Sequence, residues 1–499
     1  MGSPARAGSA LVAAGVALLL AGRAGAVSLD EPNVGGIGFS GPTTGDLAAV
    51  YWNPAALGLL RGLRLTVAGT ATLGTTTVAR ASIDPTTGRP GPGMDFAPVQ
   101  SRDRFQPLVW PPGPGGFAGI GYDVGGDRFT LAVASYMPFL ERTSYQSADG
   151  DPANLSTRYH RISADLRNLA LVSALSIRFA GDFRLGFSPG AMFSTGRLSF
   201  TESTCAATGC VEGSGGDARA DLGSGLGIFS SSFAFTLGAG AYYRRRAWEF
   251  GASFASRPLG DIGGAAVING DQSRIRRPVG GPGGVATCTN GQLEGDECVF
   301  RVFADVVYKL PDTITAAVAW HPSPGWELAA IGRMLIFPDS PDAVDIRLTG
   351  TALAEAGVPA HIILHRGYGT VVDTRLRAAA WLNERLRVGA ALRFEGSSFA
   401  AGDINPGAID GRKLQPMAMI SVRPVKVLWL AAGYGFTYLF PVEVSPGNFT
   451  PAGAKACAEA GGNLGDCISL REGYARPTAA GRYTQFRHDF TLSLSVQFW

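Results

Sequence analysis

After residue 26 the chain has no run of 18 consecutive apolar residues, so no membrane-spanning helix is expected. Charge is scarce. Only 17% of the 499 residues are Asp, Glu, Lys or Arg, and the net charge is +3. That even balance argues against nucleic acid as a partner. Histidines number 5, and none of His160, His321, His361, His365 and His488 lies in a nucleophile motif. The stretch "HIILH" spaces His361 and His365 like a helical metal pair, but the surrounding pattern is loop or strand and no Glu follows the first His. Glycine runs such as "GGPGG" lack the Gly-Lys ending of a phosphate loop. No catalytic residue, metal site or cofactor is therefore expected, and the chain does not read as an enzyme. A repeat of about 20–50 residues is also missing, which disfavours a propeller or solenoid.

What is present begins with an export signal. Arg6 supplies a positive start, residues 10–22 ("ALVAAGVALLLAG") are a short apolar run, and "AGA" at 24–26 fits a cleavage site. Residues 1–26 are read as a signal peptide, leaving Val27 as the mature start. No cysteine follows the site, so lipid attachment there is not expected. The 6 cysteines fall as three close pairs in polar, glycine-rich surroundings: Cys205/Cys210, Cys288/Cys298 and Cys457/Cys467. In an exported chain these read as three local disulfides, although six cysteines formally allow 15 connectivities.

Alternation of apolar and polar residues dominates from residue 62 onward. In "LRLTVAGTATL" (63–73), Leu63, Leu65, Val67, Ala71 and Leu73 share one face, and Arg64, Thr66, Thr70 and Thr72 the other. In the closing "FTLSLSVQFW", Phe490, Leu492, Leu494, Val496 and Phe498 alternate with Thr491, Ser493, Ser495 and Gln497. About fourteen such segments occur, each near the ~9–11 residues that a tilted membrane strand needs. Their connections alternate between short turns (near 125, 180–182, 244, 322–325, 383–384 and 423–426) and long Gly/Pro/Asp-rich stretches. The third segment is placed at 127–138 with Pro138 at its outer end; the eighth, at 300–321, is interrupted by Pro311. Short turns on one side and long loops on the other are the mark of an outer-membrane barrel, with the apolar face toward lipid. The fold class expected is all-β: a transmembrane antiparallel β-barrel over 62–499, ending on the aromatic pair Phe498-Trp499. On the polar faces, Arg375, Arg377, Arg387 and Arg393 are candidates to face the lumen, either meeting an anionic head group or neutralising internal carboxylates.

Residues 27–61 break the alternation. In "VYWNPAALG" (50–58), Asn53 can cap a short helix and Pro54 suits its first position. So apolar a segment is out of place as a free tail, and a small plug inside the barrel is expected, held by Tyr51, Trp52 and Leu57.

This segment carries a resemblance. "SGPTTGDLAAVYWNPAALGLL" is similar to the N-terminal hatch of the FadL family of outer-membrane transporters, with Asn53, Pro54 and Ala55 on its Asn-Pro-Ala motif. "TRYHRISADLRNLALVSALSIRFAGDFRLGFSPG" (157–190) and "LPDTITAAVAWHPSPGWELAA" (310–330) resemble two further family segments in the same order. The resemblance implies a fourteen-stranded, hatch-plugged barrel in the outer membrane. It also implies uptake of long-chain fatty acids or other hydrophobic compounds, among them aromatic hydrocarbons, with exit sideways through a kinked strand. Asn53, Pro54 and Ala55 would then gate, and Arg158, on the family's Arg-Tyr position, would meet a carboxylate. The expected partners are a hydrophobic, fatty acid-like ligand and the lipid and lipopolysaccharide of the outer membrane, with the chain acting as a monomer. The competing reading is a diffusion porin or an adhesin with stapled loops.

Overall fold

The computed structural model describes residues 34–37, 39–83, 90–95, 99–103, 116–124, 128–147, 151–152, 155–202, 218–224, 232–259, 265–280, 284–337, 342–358, 360–365, 369–399, 404–444 and 479–498. Fourteen strands close a ring. They are β1 (Leu63–Ile83), β2 (Phe117–Asp123), β3 (Phe129–Gln146), β4 (Ser163–Arg178), β5 (Phe183–Glu202), β6 (Ser232–Arg245) and β7 (Trp248–Ala255). The ring continues through β8 (Asp312–Trp320), β9 (Trp326–Ile336), β10 (Val371–Asn383), β11 (Leu386–Glu395), β12 (Lys413–Val425), β13 (Leu428–Val444) and β14 (Gly481–Phe498). Each is antiparallel to the next, and the seam is β1 on β14, in register from Leu63 opposite Phe498 to Arg80 opposite Gly481. Closure leaves no open edge, the condition that hydrocarbon imposes on any sheet within it.

Period-two alternation sorts the two faces. Leu65, Val67, Leu131, Phe187, Leu392 and Leu492 point outward and are exposed, as a lipid-facing belt requires. Near the short turns, outward aromatics gather: Trp248 stacks on Trp320 at 5.8 Å, and Phe179 lies 6.3 Å from Phe183. Aromatic rings suit this depth because one edge is apolar and the other tolerates water.

The long connections are more ordered than their composition predicts. From the outer end of β5 a second sheet rises. It runs through Ala218–Gly223, Ala265–Pro278, Glu297–Lys309, Asp342–Thr349 and His361–His365, each antiparallel to the one before. The eighth segment of the sequence is thus two strands. Glu297–Lys309 belongs to the outer sheet, and β8 to the wall. Pro311 stands at the change of partners, where a ladder amide is not required. An apolar core joins the outer sheet to the upper barrel, from Phe139, Leu166 and Phe200 to Phe300, Ile346 and Val371. Cys288 and Cys298 form a disulfide in this outer layer. The expected Cys205–Cys210 and Cys457–Cys467 bridges, the signal peptide and Trp499 lie outside the described residues.

Strand three departs from its expected span. It continues past Pro138 to Gln146, with a bulge: Met137 and Pro138 together oppose the single residue Leu169 of β4, between Tyr136↔Ala170 and Phe139↔Asn168. The extra residue reverses the phase. Ala132, Ala134 and Tyr136 face inward below it, and Phe139 and Glu141 above it. A proline has no amide to give to a ladder, and a bulge is where a strand accommodates it.

Candidate functional site

The lumen holds the N-terminal segment. Helix α1 (Ala49–Trp52) is followed by a 3-10 turn over Pro54–Leu59. Asn53 sits between them in extended conformation, and its Oδ1 accepts from the Ala55 amide at 3.1 Å. The same side chain donates from Nδ2 to the Pro42 carbonyl at 2.8 Å and to the Ala241 carbonyl of β6 at 2.9 Å. One amide group thus caps the turn, closes the hatch on itself and ties it to the wall. Pro54 takes the first helical position, where a missing amide is harmless. Ala55 is fully buried, and its carbonyl accepts from Ser176 of β4 at 2.8 Å. The Trp52 carbonyl accepts from Ser253 of β7 at 2.6 Å, and Arg184 of β5 donates to the Gly58 carbonyl.

Apolar packing completes the hold. Trp52 and Leu57 are buried with Leu47, Val50 and Ala56 against Ala132, Val172 and Ala174 of the wall. Burying a side chain such as Leu57 is worth about 1.5–3 kcal/mol, as much as the cap itself. The wall makes room by lacking side chains. A Cβ on Gly186 would overlap the Ala55 amide, one on Gly240 the Asn53 carboxamide, and one on Gly251 the Pro42 carbonyl. All these contacts lie near the short-turn end, where a cavity of about 370 Å³ opens between the hatch (Phe39, Asp46, Leu59) and Arg64, Trp381 and Trp429 of the wall.

Around and above the hatch the lumen is two-sided. Strands β4 to β6 present Ala170, Val172, Ala174, Ser188 and Ala234, small and mostly apolar. Strands β9 to β12 present charge. Arg377 and Arg387 share Glu327, Arg333 and Arg393 share Asp373, and Arg393 and Lys413 share Glu395. All four arginines singled out in the sequence face inward, and three of them neutralise carboxylates. Arg375 makes no close ion pair or hydrogen bond with a described residue, although Asp373, two residues away on the same strand, attracts its charge; it lies over the Trp52 ring at 5.2 Å.

The hatch also reaches the bulged strand. Tyr51 meets Tyr136 edge-on at 5.3 Å, and Tyr136 stacks with Phe117, the first residue of β2, at 6.5 Å. Tyr136 is the last residue of β3 in register before the bulge, and its described partner on that side is Phe117. The next described pair on that side is Tyr145 with Ser101. An aromatic chain therefore runs from the hatch to the kink in the wall. The alternation of the sequence hid this kink, because Pro138 reads equally well as the end of a strand.

Arg158 is placed differently from the other candidates. It is 8% exposed, in the outer turn before β4, with Nη1 on the Leu155 carbonyl at 3.1 Å and Nη2 on the Tyr159 hydroxyl at 3.0 Å. Its guanidinium also stacks on Tyr159 at 4.3 Å. His361 and His365 lie at the two ends of one short strand, and His361 faces Asp345. Among the described residues no group of three or more His, Cys, Asp or Glu converges as a metal site would.

Hatch, closed ring and bulged third strand together define an outer-membrane β-barrel plugged by its own N-terminal segment. Solved structures share this architecture. A FadL homologue of Pseudomonas aeruginosa superposes with a TM-score of 0.67 at 12% identity, covering 95% of this chain and 100% of that one. The toluene transporter TbuX of Ralstonia pickettii gives 0.56 at 12%, over 94% and 100%. The toluene transporter TodX of P. putida gives 0.57 at 13%, over 91% and 95%. No family model matches the chain, and no curated protein matches it in sequence. The chain has the FadL-type fold, as the hatch motif led us to expect.

Proposed function

We propose that the protein is a channel for hydrophobic small molecules across the outer membrane. The observation that carries this reading is the contact between hatch and kinked strand, Tyr51 on Tyr136 immediately below the Met137–Pro138 bulge. An open diffusion pore has no use for a plug bonded to strands around the ring. An apolar solute does need a route that avoids water, and a kinked strand beside a small-residue luminal wall supplies one. The solute would move down the β4–β6 side of the lumen and leave sideways at the bulge, with Asn53, Pro54 and Ala55 holding the hatch as its floor.

Between ligand classes, apolar aromatics have the better support. Two of the superposed structures are toluene transporters, and Arg158 has donors already engaged by Leu155 and Tyr159. Long-chain fatty acids are the second reading, favoured by the hatch motif and by the superposed FadL homologue. Deleting Pro138 restores one-to-one opposition with β4 and straightens the strand. Uptake of radiolabelled toluene by cells relying on this chain should then fall to the level of cells without it, while surface labelling and heat-modifiable migration stay normal. Unchanged uptake would overturn the lateral route. Uptake of oleate but not toluene by the parent would replace the first ligand class by the second.

A further inference from the structure

We propose that Arg375 is the centre of an anion-binding site between the hatch and the β9–β12 wall. It is 4% exposed. Its Nε is buried without an acceptor, and its guanidinium makes no hydrogen bond to any described residue. The cations around it are already committed. Asp373, the carboxylate next along β10, is ion-paired with Arg333 at 2.8 Å and accepts from Arg393 at 2.9 Å. Glu327 is shared by Arg377 and Arg387, and Lys413 lies 3.3 Å from both Glu395 and Asp410. In this belt six cationic side chains face four carboxylates, so the excess charge is positive and buried.

Geometry says which part of Arg375 is unused. The indole of Trp52 lies against the guanidinium at 5.2 Å, and Arg333 approaches the same ring at 5.9 Å. A ring over the guanidinium attracts its charge but takes none of its in-plane N–H donors. Those donors form the fork that recognises a carboxylate or another small anion. Water can accept from the fork but cannot neutralise the charge, and Asp373, which attracts it, is already shared by Arg333 and Arg393, so buried positive charge remains in excess. The ligand class is therefore a small monovalent anion. Two sources share this chemistry: a halide resident in the lumen, and the head group of a hydrophobic carboxylic acid passing through it. Because Trp52 belongs to the hatch and Arg375 to the wall, the bound anion joins the two.

The test uses crystals of the full-length mature chain soaked in sodium bromide, with anomalous diffraction as the readout. A bromide peak in hydrogen-bonding reach of the Arg375 guanidinium is expected in the parent. It should vanish in Arg375→Met and survive, weakened, in Arg375→Lys, which keeps the charge without the fork. No peak at Arg375 in the parent would overturn the proposal. A peak of equal height in Arg375→Met marks an adventitious ion only and overturns it equally. Adding decanoate, with decanol as control, assigns the source. Loss of the peak with decanoate alone makes the site one for a carboxylate head group; persistence with both makes it an inorganic anion site. Bromide binding is read without any uptake, so its failure is separate from failure of the channel reading.

Discussion

At the scale of single residues, the hatch depends most on Asn53. Its carboxamide caps the Ala55 amide and donates to Pro42 and Ala241, so Asn53→Ala removes one intra-hatch cap and leaves a buried and a half-buried carbonyl without their donor. The cap alone is worth about 0.5–2 kcal/mol, and each lost hydrogen bond about 0.5–1.5 kcal/mol. Hydrogen exchange of the Pro54–Leu59 amides should accelerate accordingly, while exchange along the β1–β14 seam stays slow. Unchanged exchange in the turn would show that apolar burial of Trp52 and Leu57 suffices. The role of Asn53 was legible in the sequence, since Asn-Pro before a short apolar run is a local signal. That of Arg375 was only half legible. Alternation places it inward with Arg377 and Arg393, but its lack of a carboxylate depends on which residues β9 and β11 bring beside it, and register is not written in one strand.

At the scale of elements, the wall glycines and the outer clasp are open to test. Gly240 and Gly186 lie where hatch backbone and side chain touch the barrel, so Gly240→Leu cannot coexist with the seated Asn53. Planar-bilayer recording should show a closed parent and a conducting variant; a closed variant would mean that the hatch does not block the lumen. In the outer layer, helix α2 (Leu353–Ala356) carries Glu355, which accepts from the Thr289 amide at 2.8 Å and the Asn290 amide at 3.1 Å beside the Cys288–Cys298 bridge. The Thr289 amide bond, with those from Asn290, holds this carboxyl below the ordinary range for glutamate. A carboxylate so depressed stabilises the folded form above its unfolded pKa, and the contribution is lost as pH falls through the depressed value. Exchange of the Thr289 and Asn290 amides should therefore quicken on acidification in the parent and be insensitive to pH in Glu355→Gln, after correction for intrinsic exchange. All fourteen wall strands were legible from period-two alternation. Of the outer sheet only 300–309 was, inside the eighth segment; its other strands are short and lie within Gly- and Pro-rich stretches, and one of its faces packs on protein rather than lipid. The bulge in β3 escaped for a related reason: the phase of alternation changes within one strand, and a single proline marks both a bulge and an end.

At the scale of the whole molecule, the barrel is asymmetric about its axis, with small residues on β4–β6 and a charged belt on β9–β12. Ion pairs hold the β9–β12 side; beside the kink the contacts below the bulge are apolar and can be broken and remade by a solute of similar polarity, while Glu141 pairs with Arg161 above it. The seam has a further consequence, which concerns time. Arg64 bonds to Ser495 across 431 positions of sequence, so the last ladder to zip is the most distant one, and the hatch immediately precedes the first of its two strands. Contacts of such separation form late, because the loop they close must be ordered first. A plug bonded to β4, β5, β6 and β7 is then expected to seat on a half-built curved sheet before the ring shuts around it, rather than to thread into a finished cylinder. In a refolding time course, protection of the Pro54–Leu59 amides should precede protection of the β1–β14 seam; the reverse order would mean that the hatch enters a closed barrel from its end.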